Sequence, residues 1–220
     1  MQLETEQTVS QQPCTPSSTP ATPAPGQGLL FVLSAPSGTG KDTVIHALKQ
    51  LVDFYLVASV TTRNPRVGES EGNPYYFISK QEFEQLIADN ELLEYANVHG
   101  NWYGQPLKPI HDNLREGRDV LLKIDVQGAA TVRKKVPRAI FIFLVPDSLE
   151  ELAQRLTQRQ TETEAERGRR LADAQKELAE KDWYDYIITN RQGHLKEAVE
   201  LLRAIMLAEH ARIHPRHVTI

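Results

Sequence analysis

Residues 29–43 read LLFVLSAPSGTGKDT, and this stretch is the strongest indication of the fold in the chain. Its first residues, Leu29 to Leu33, are all apolar and predict a short strand that is buried on both faces. A turn of small residues follows, then Lys41, and a helical spacing of apolar residues begins at Val44. Strand, small-residue loop, lysine and helix follow one another in this order in a P-loop, where backbone N–H groups and the lysine hold phosphate oxygens.

The loop departs from the usual P-loop motif at two positions. Ala35 stands where the first glycine is expected, and Asp42 stands where a serine or threonine is expected. The hydroxyl at that position normally reaches magnesium, so Asp42 and the adjacent Thr43 are the candidate Mg²⁺ ligands. Gly38 and Gly40 permit backbone angles that a side chain would penalise. The alternative is a strand-to-helix turn that binds no ligand.

Composition limits the class of protein. With 220 residues, 40% of them hydrophobic, the chain suits one ordinary domain and a tail. A formal net charge of −4 argues against a general nucleic-acid binder. Cys14 is the only cysteine, which excludes an intrachain disulfide and fits a reducing compartment.

The first 28 residues differ from the rest of the chain. Residues 1–28 are rich in Pro, Ser and Thr, and they predict a disordered tail. They lack the basic region and apolar core of a secretory signal, and the chain contains no apolar run approaching the ~20 residues of a membrane span. We therefore expect a cytoplasmic protein that does not bind membranes.

A polar stretch from Thr61 to Phe77 carries the second candidate site. Arg63 and Arg66 lie close together in a loop, and two guanidinium groups of this kind suit a phosphomonoester because each can bind two oxygens. Tyr75 adds a phenol that can donate to the same phosphate. A solvated loop with surface arginines is the alternative for this stretch.

Glu94 is a polar residue within an apolar and aromatic run. A carboxylate accepts hydrogen bonds, so it pairs naturally with two adjacent donors such as N1–H and the 2-amino group of guanine. Adenine has an acceptor at N1 and lacks the 2-amino group, so such a site would reject it. The alternative places Glu94 on the solvated face of a strand.

Two further segments contain candidate functional charges. Residues 120–125 predict a core strand that ends on Asp125, which resembles the second acidic element of P-loop enzymes, although Lys123 is an unusual strand residue. Residues 150–181 are helical and highly charged, and Arg155 and Arg159 share one helix face. This segment is either a solvated surface or a mobile lid whose arginines close over transferring phosphates.

The order of the predicted elements indicates the fold class. Short apolar strands alternate with helices, which predicts an α/β protein with a parallel sheet covered by helices on both faces. The stretches 60–105 and 150–181 interrupt this alternation as subdomains. A long amphipathic helix over residues 195–213 is expected to pack on the sheet, and residues 214–220 are expected to be frayed.

These motifs together resemble the guanylate kinase family, from about Leu29 to Arg212. The family signature is met in full by Thr61, Thr62, Arg63, Arg66, Glu69, Gly72, Tyr75 and Phe77. Further support comes from the segments SAPSGTGK, LLEYANVHGNWYG, KIDVQG and DYIITN. The resemblance implies a P-loop three-layer sandwich over residues 29–213, with a parallel core sheet, an inserted GMP-binding subdomain over residues 60–105 and a helical lid over residues 150–181.

The resemblance also implies an activity, which is ATP-dependent phosphorylation of GMP or dGMP with Mg²⁺, in a monomer or small homo-oligomer. The implied ATP-binding residues are Ala35, Pro36, Ser37, Gly38, Thr39, Gly40, Lys41, Asp42, Thr43 and Asn190. The implied GMP-binding residues are Ser59, Arg63, Arg66, Tyr75, Glu94, Tyr103 and Asp125. The implied catalytic residues are Lys41, Arg155, Arg159 and Arg170.

Three positions depart from the family pattern. Gln105 stands where Ser or Thr is usual, Lys123 stands where an acid is usual, and Asp42 replaces a hydroxyl or glycine. The sequence is also compatible with two other functions. One is a non-catalytic module that binds phosphorylated peptides through the GMP-site arginines, and the other is a related P-loop kinase for another phosphorylated small molecule.

Overall fold

The computed structural model describes residues 28–66, 68–72, 74–98, 100–157 and 164–220, without the side chains of residues 165–167. The expected tail, apart from its last residue, lies outside these ranges. The strands within them are β1 (Leu30–Ser34), β2 (Tyr55–Leu56), β3 (Ser59–Thr61), β4 (Ser70–Glu71), β5 (Pro74–Phe77), β6 (Leu92–Val98), β7 (Asn101–Pro106), β8 (Val120–Ile124), β9 (Ile140–Val145) and β10 (Tyr186–Thr189). The helices are α1 (Lys41–Leu48), α2 (Lys80–Ala88), α3 (Leu107–Arg115), α4 (Val126–Lys135), α5 (Leu149–Thr157), α6 (Glu164–Ala179) and α7 (Leu195–His210).

The central sheet has the strand order β10-β9-β1-β8-β2, and its strands pair in parallel. Alternate residues of β1 enter two different apolar clusters. Phe31 and Leu33 pack with residues of α1 and α7, whereas Leu30 and Val32 pack with residues of α3 and α4. Helices therefore cover both faces, which confirms the predicted α/β class and explains why β1 is apolar without interruption.

A second sheet, with the order β4-β5-β3-β7-β6, is built from the polar stretch of the sequence. It mixes parallel and antiparallel pairs, and a small cluster of Val60, Phe83 and Leu92 packs it against α2. α2 begins at a capping box in which Ser79 and Glu82 bond each other's backbone, as their spacing predicts.

Residues 55–59, YLVAS, predict one short strand from their apolar pattern, and this prediction is wrong. Tyr55–Leu56 belongs to the central sheet, and Ser59 already belongs to the second sheet. The chain crosses between the sheets at Val57 and Ala58, which are both buried. A continuous apolar run cannot reveal this crossing, because its residues stay buried while their strand partners change.

The frayed end expected for residues 214–220 is also not what the structure shows. This segment forms neither helix nor strand, yet Arg216 lies 3.0 Å from Asp185 and 3.4 Å from the fully buried Glu209. Val218 and Ile220 pack against the cluster on the α3 and α4 face. These contacts anchor the segment, and α7 ends at His210, three residues before the predicted end of the helix at residue 213. Within the described ranges, no helix has the length and apolar character that crossing a bilayer requires.

Removing residues 214–220 should destabilise the protein. The truncation leaves the buried Glu209 without its Arg216 partner and exposes apolar surface. We therefore expect the free energy of unfolding to fall by about 2 kcal/mol and the Tm to fall by roughly 4–8 °C. Differential scanning calorimetry would measure it, with the exposed His217→Ala as the matched control. An unchanged Tm in the truncated protein would support a frayed end instead.

Candidate active site

The loop between β1 and α1 has the geometry of a phosphate cradle. Gly38 and Gly40 have φ angles of +89° and +95°, which favour glycine. The Lys41 ammonium donates to the Ala35 carbonyl at 2.6 Å, and the Thr39 hydroxyl donates to the Pro36 carbonyl at 2.8 Å. The loop is thus held in shape by its own hydrogen bonds, with Lys41 folded over it.

Two residues that are distant in sequence donate hydrogen bonds to this loop. Asn190 donates to the Thr39 carbonyl at 2.7 Å, and Arg155 donates to the same oxygen at 3.0 Å. Arg155 also donates to the Asn190 carbonyl and pairs with Glu151. A Cβ on Gly40 would lie 2.7 Å from the Asn190 side-chain nitrogen, so this approach also requires glycine at position 40.

The Lys41 ammonium is poorly solvated. Burial lowers the pKa of Lys41 to about 8, although the nearby carboxylates of Asp125 and Glu177 act in the opposite direction. Asp125 directly follows β8 and caps α4 by accepting from the Gly128 N–H at 2.8 Å. An anion placed beside Lys41 would stabilise its charged form.

The second sheet presents a cluster of basic and phenolic groups. The guanidinium of Arg63 donates to both carboxylate oxygens of Glu69 at 2.9 Å. Its Cζ lies 5.4 Å from the centre of the Tyr75 ring, and the Tyr75 and Tyr103 rings are 5.8 Å apart. Arg66 is exposed, and its backbone N–H donates to Glu69. Glu69 therefore orients this cluster.

A buried polar pocket lies between β3, β6 and β7. Glu94 is opposite Gln105 in the β6–β7 pairing, and Gln105 donates to the Ser59 hydroxyl at 2.6 Å. These three side chains are at most 4% exposed. Glu94 Oε2 and Gln105 Oε1 accept no hydrogen bond from any described residue. Buried acceptors are normally satisfied, so this pair is a candidate site for hydrogen-bond donors of a ligand.

The helix α4 limits the position of the Glu94 carboxylate. A Cβ on Gly128 would lie 2.9 Å from Glu94 Oε2, so a larger residue at position 128 would displace it. Burial, reinforced by the charge of Asp125, raises the pKa of Glu94 to about 8 in this pocket, while Lys135 acts in the opposite direction.

The two halves of the site meet at Lys123. Its ammonium lies 2.7 Å from Asp42 Oδ1 and 5.0 Å from the centre of the Tyr75 ring. Lys123 thus faces the cleft between the loop and the second sheet, and it is not at a strand end.

Thr43, the candidate metal ligand beside Asp42, is exposed on the first turn of α1. In the part of the chain that the structure describes, no group of three or more His, Cys, Asp or Glu side chains could hold a metal ion.

The structure brings most of the sequence-predicted residues into one region. The loop, Lys41, Arg155 and Asn190 form one half, and the side chains near Tyr75 and Glu94 form the other. Arg170 lies half-buried on α6, whereas Arg159 lies outside the described residues. The sequence interpretation missed Gly128, although a glycine inside a helix is a signal of close approach.

The fold and the site define a class of protein. A P-loop precedes the first helix of a parallel α/β sheet, and a second sheet carries an arginine and tyrosine cluster opposite a lysine. This arrangement is that of a P-loop phosphotransferase. A sequence model described as guanylate kinase matches residues 27–209. The chain belongs to the guanylate kinase family.

Named relatives agree with this assignment. The guanylate kinase of Clostridium tetani is 46% identical over 187 residues, covering 85% of this chain and 89% of the relative. That of Bacillus subtilis is 46% identical and covers 87% of this chain and 95% of the relative. The crystal structure of guanylate kinase from Anaplasma phagocytophilum superposes with a TM-score of 0.71 at 33% identity, covering 88% of this chain and 91% of that one.

The titration of Glu94 tests the description of its pocket. We expect a midpoint of about 8 for Glu94 in the ligand-free protein, measured by NMR of ¹³C-labelled glutamate side chains. Asp125→Asn should lower this midpoint and Lys135→Met should raise it, because each removes a neighbouring charge. A midpoint near the ordinary value of 4.5 would contradict the buried geometry.

The same shift links Glu94 to stability. Its pKa is raised on folding, so between about pH 4.5 and pH 8 the folded protein keeps a proton that the unfolded chain has already released. The contribution of Glu94 to stability is therefore present at low pH and is lost as the pH rises through this window. Glu94→Gln should remove that part of the pH dependence.

Proposed function

We propose that the protein transfers the γ-phosphoryl group of ATP to GMP or dGMP, giving ADP and the corresponding diphosphate. The observation that carries this proposal is the pair of buried acceptors, Glu94 Oε2 and Gln105 Oε1, which lack donors among the described residues. Guanine presents N1–H and a 2-amino group on one edge, and these donors would meet both acceptors. Adenine would leave them unmet.

The raised pKa of Glu94 is compatible with this role. In the empty pocket, burial favours the neutral carboxyl group at neutral pH. Hydrogen bonds from guanine stabilise the charged form and lower the pKa again. Binding of the base would therefore release the proton and leave a carboxylate, which accepts hydrogen bonds from guanine.

The acceptor phosphate would be held by Arg63, Arg66, Tyr75 and Tyr103. Glu69 holds one edge of the Arg63 guanidinium, and the Arg63 Nε is buried without a hydrogen-bond partner among the described residues. That N–H is thus available to a phosphate oxygen. The exposed Arg66 would close onto the same phosphate.

The donor phosphates would occupy the loop formed by residues 35–41. Lys41 would exchange its bond to the Ala35 carbonyl for a bond to a phosphate oxygen, whose negative charge would compensate for the burial of the ammonium. Asn190 lies beside the loop, where it would contact the adenine side of ATP. Arg155, Arg170 and Arg159 would belong to a lid formed by residues 150–181.

Mg²⁺ bound with ATP fits the oxygen groups that line this region. Magnesium is usually held by substrate phosphates, waters and one or two protein oxygens, so a protein cage is not needed. Thr43 offers an exposed hydroxyl beside the loop. The other candidate, Asp42, is engaged by Lys123. We therefore favour Thr43 as the direct ligand, with Asp125 as a partner for a bound water. When bound, the ion would neutralise negative charge on the phosphates.

Positioning and electrostatics account for the reaction. A GMP phosphate oxygen attacks the γ-phosphorus, and the bond from that phosphorus to the bridging oxygen of ADP breaks. The P-loop and the arginine cluster hold the two phosphates on facing surfaces, so the step needs no side-chain nucleophile. Lys41 and the lid arginines would stabilise the charge on the transferring group. Closure of the lid would exclude water and limit hydrolysis of ATP.

A substrate panel tests the proposal. Turnover of GMP, dGMP, IMP, AMP and a sugar phosphate would be compared by a coupled ADP-release assay with ATP and Mg²⁺. We expect GMP to exceed AMP by about 10³-fold or more in kcat/KM, because AMP leaves buried acceptors unmet. IMP lacks only the 2-amino group, so it should lose roughly 10- to 100-fold. Preference for the sugar phosphate would indicate a different kinase, and failure with every acceptor would indicate a binding module.

Gly128→Ala should impair recognition of GMP specifically. The added methyl group must displace the Glu94 carboxylate, which would otherwise lie 2.9 Å away. Because the end of a flexible side chain moves, we expect little loss of thermal stability. The KM for GMP should rise roughly tenfold or more while the KM for ATP stays within twofold. The exposed neighbour Gln127→Ala is the control. Equal KM values for GMP in both variants would contradict the placement of guanine beside Glu94.

A further inference from the structure

The ion pair between Asp42 and Lys123 joins two elements that are far apart in sequence. Asp42 follows Lys41 on the first turn of α1, and Lys123 lies on β8 beside Leu33 of β1. Their charged atoms are 2.7 Å apart although 81 positions separate them. This contact places a second ammonium group close to Lys41, whose pKa it helps to lower.

The two partners of this pair differ in their exposure. The Lys123 side chain is 10% exposed, whereas the Asp42 side chain is 81% exposed. An exposed carboxylate gains little from an ion pair, because water solvates it almost equally well. The enclosed ammonium depends more on a negative partner. Asp42 can therefore release Lys123 at low cost, provided that another anion takes its place.

Lys123 also faces the proposed acceptor site. Its ammonium lies 5.0 Å from the Tyr75 ring centre, and the Arg63 guanidinium lies 5.4 Å from the same centre. Tyr75 is thus flanked by two cations, one from the second sheet and one from the central sheet. Burial opposes the charge of Lys123, yet Tyr75 and Asp42 hold its pKa above the ordinary value, so the ammonium stays charged.

We propose that Lys123 binds the acceptor phosphate of GMP together with Arg63 and Tyr75, and that Asp42 is a positioning residue that holds the ammonium until the substrate arrives. The phosphate carries more negative charge than the carboxylate, so it displaces Asp42. This inference rests on the proposed function. It adds a cation from the central sheet to the acceptor site. It also gives Asp42 the role of holding Lys123, instead of that of a magnesium ligand.

If Lys123 binds phosphate, substitutions of Lys123 and Asp42 should change the KM for GMP in opposite directions, which a purely structural ion pair would not produce. Lys123→Met removes a phosphate ligand, so the KM for GMP should rise roughly tenfold or more. Asp42→Asn removes the competitor for the ammonium, so the KM for GMP should fall about two- to fivefold. If the ion pair were only structural, both substitutions would lower the Tm and both would weaken GMP binding.

The double variant tests whether Asp42 acts through Lys123. In the Lys123→Met background, Asp42→Asn should no longer change the KM for GMP, because the ammonium that it releases is missing. Any effect of Asp42→Asn on the KM for ATP, which reflects the charge beside the P-loop, should persist in both backgrounds. Lys108→Met, which breaks an exposed ion pair of 2.6 Å on α3, is the matched control and should leave both KM values unchanged.

The experiment combines steady-state kinetics, calorimetric titration of GMP and Tm measurements. They are made on the wild type, Lys123→Met, Asp42→Asn, the double variant and Lys108→Met. Wild-type turnover and binding of GMP test the proposed function by themselves. If the wild type phosphorylates GMP and Lys123→Met binds GMP equally well, the role of Lys123 is overturned while the proposed function stands. A wild type that neither binds nor phosphorylates GMP overturns both.

Discussion

The parallel pairing of β1 with β8 is the constraint on which the site depends. Leu33 is paired with Lys123 and Ser34 with Ile124, so the P-loop and the Asp125 segment leave the sheet at the same edge. β1 is fully buried, which fixes the base of the loop. The register therefore brings Lys41, Lys123 and Asp125 together. Asp125 then caps α4, and the Gly128 of that helix limits the position of Glu94, so the central sheet also positions the pocket of the second sheet.

Lys41 and Glu94 are both buried ionisable groups, and the neighbours of each compensate only in part for the burial of its charge. Burial lowers the pKa of the ammonium to about 8 and raises the pKa of the carboxyl group to about 8. Each charged form is therefore less stable than it is in water, and a ligand would stabilise it by supplying a partner, an anion for Lys41 and hydrogen-bond donors for Glu94. The two groups require opposite chemistry from what they bind, and a pair of nucleotides that presents phosphates to one and guanine to the other meets both needs. Perturbed groups of this kind concentrate at functional sites because ligands relieve them.

The sequence predicts the local parts of this arrangement well. Arg63 and Glu69 are six positions apart, and the loop residues are contiguous, so spacing alone indicates their chemistry. The contact between Gln105 and Ser59 spans 46 positions and depends on which strands are neighbours. The split after Leu56 and the anchoring of Arg216 by Glu209 depend on tertiary partners in the same way. A pattern of apolar residues reports burial, but it does not report which element provides the partner.

Asp42 and Lys123 show how this limit affects the interpretation of a binding site. Considered separately, a carboxylate beside a phosphate loop should repel phosphate, and a lysine should disturb a position where an acid is usual. In the structure they form one pair whose formal charges cancel. Because the carboxylate is exposed and the ammonium is enclosed, water screens the negative charge more strongly than the positive one. If Lys123 binds the acceptor phosphate as proposed, the exposed carboxylate can give way to it, and the two departures from the family pattern act together on the same substrate.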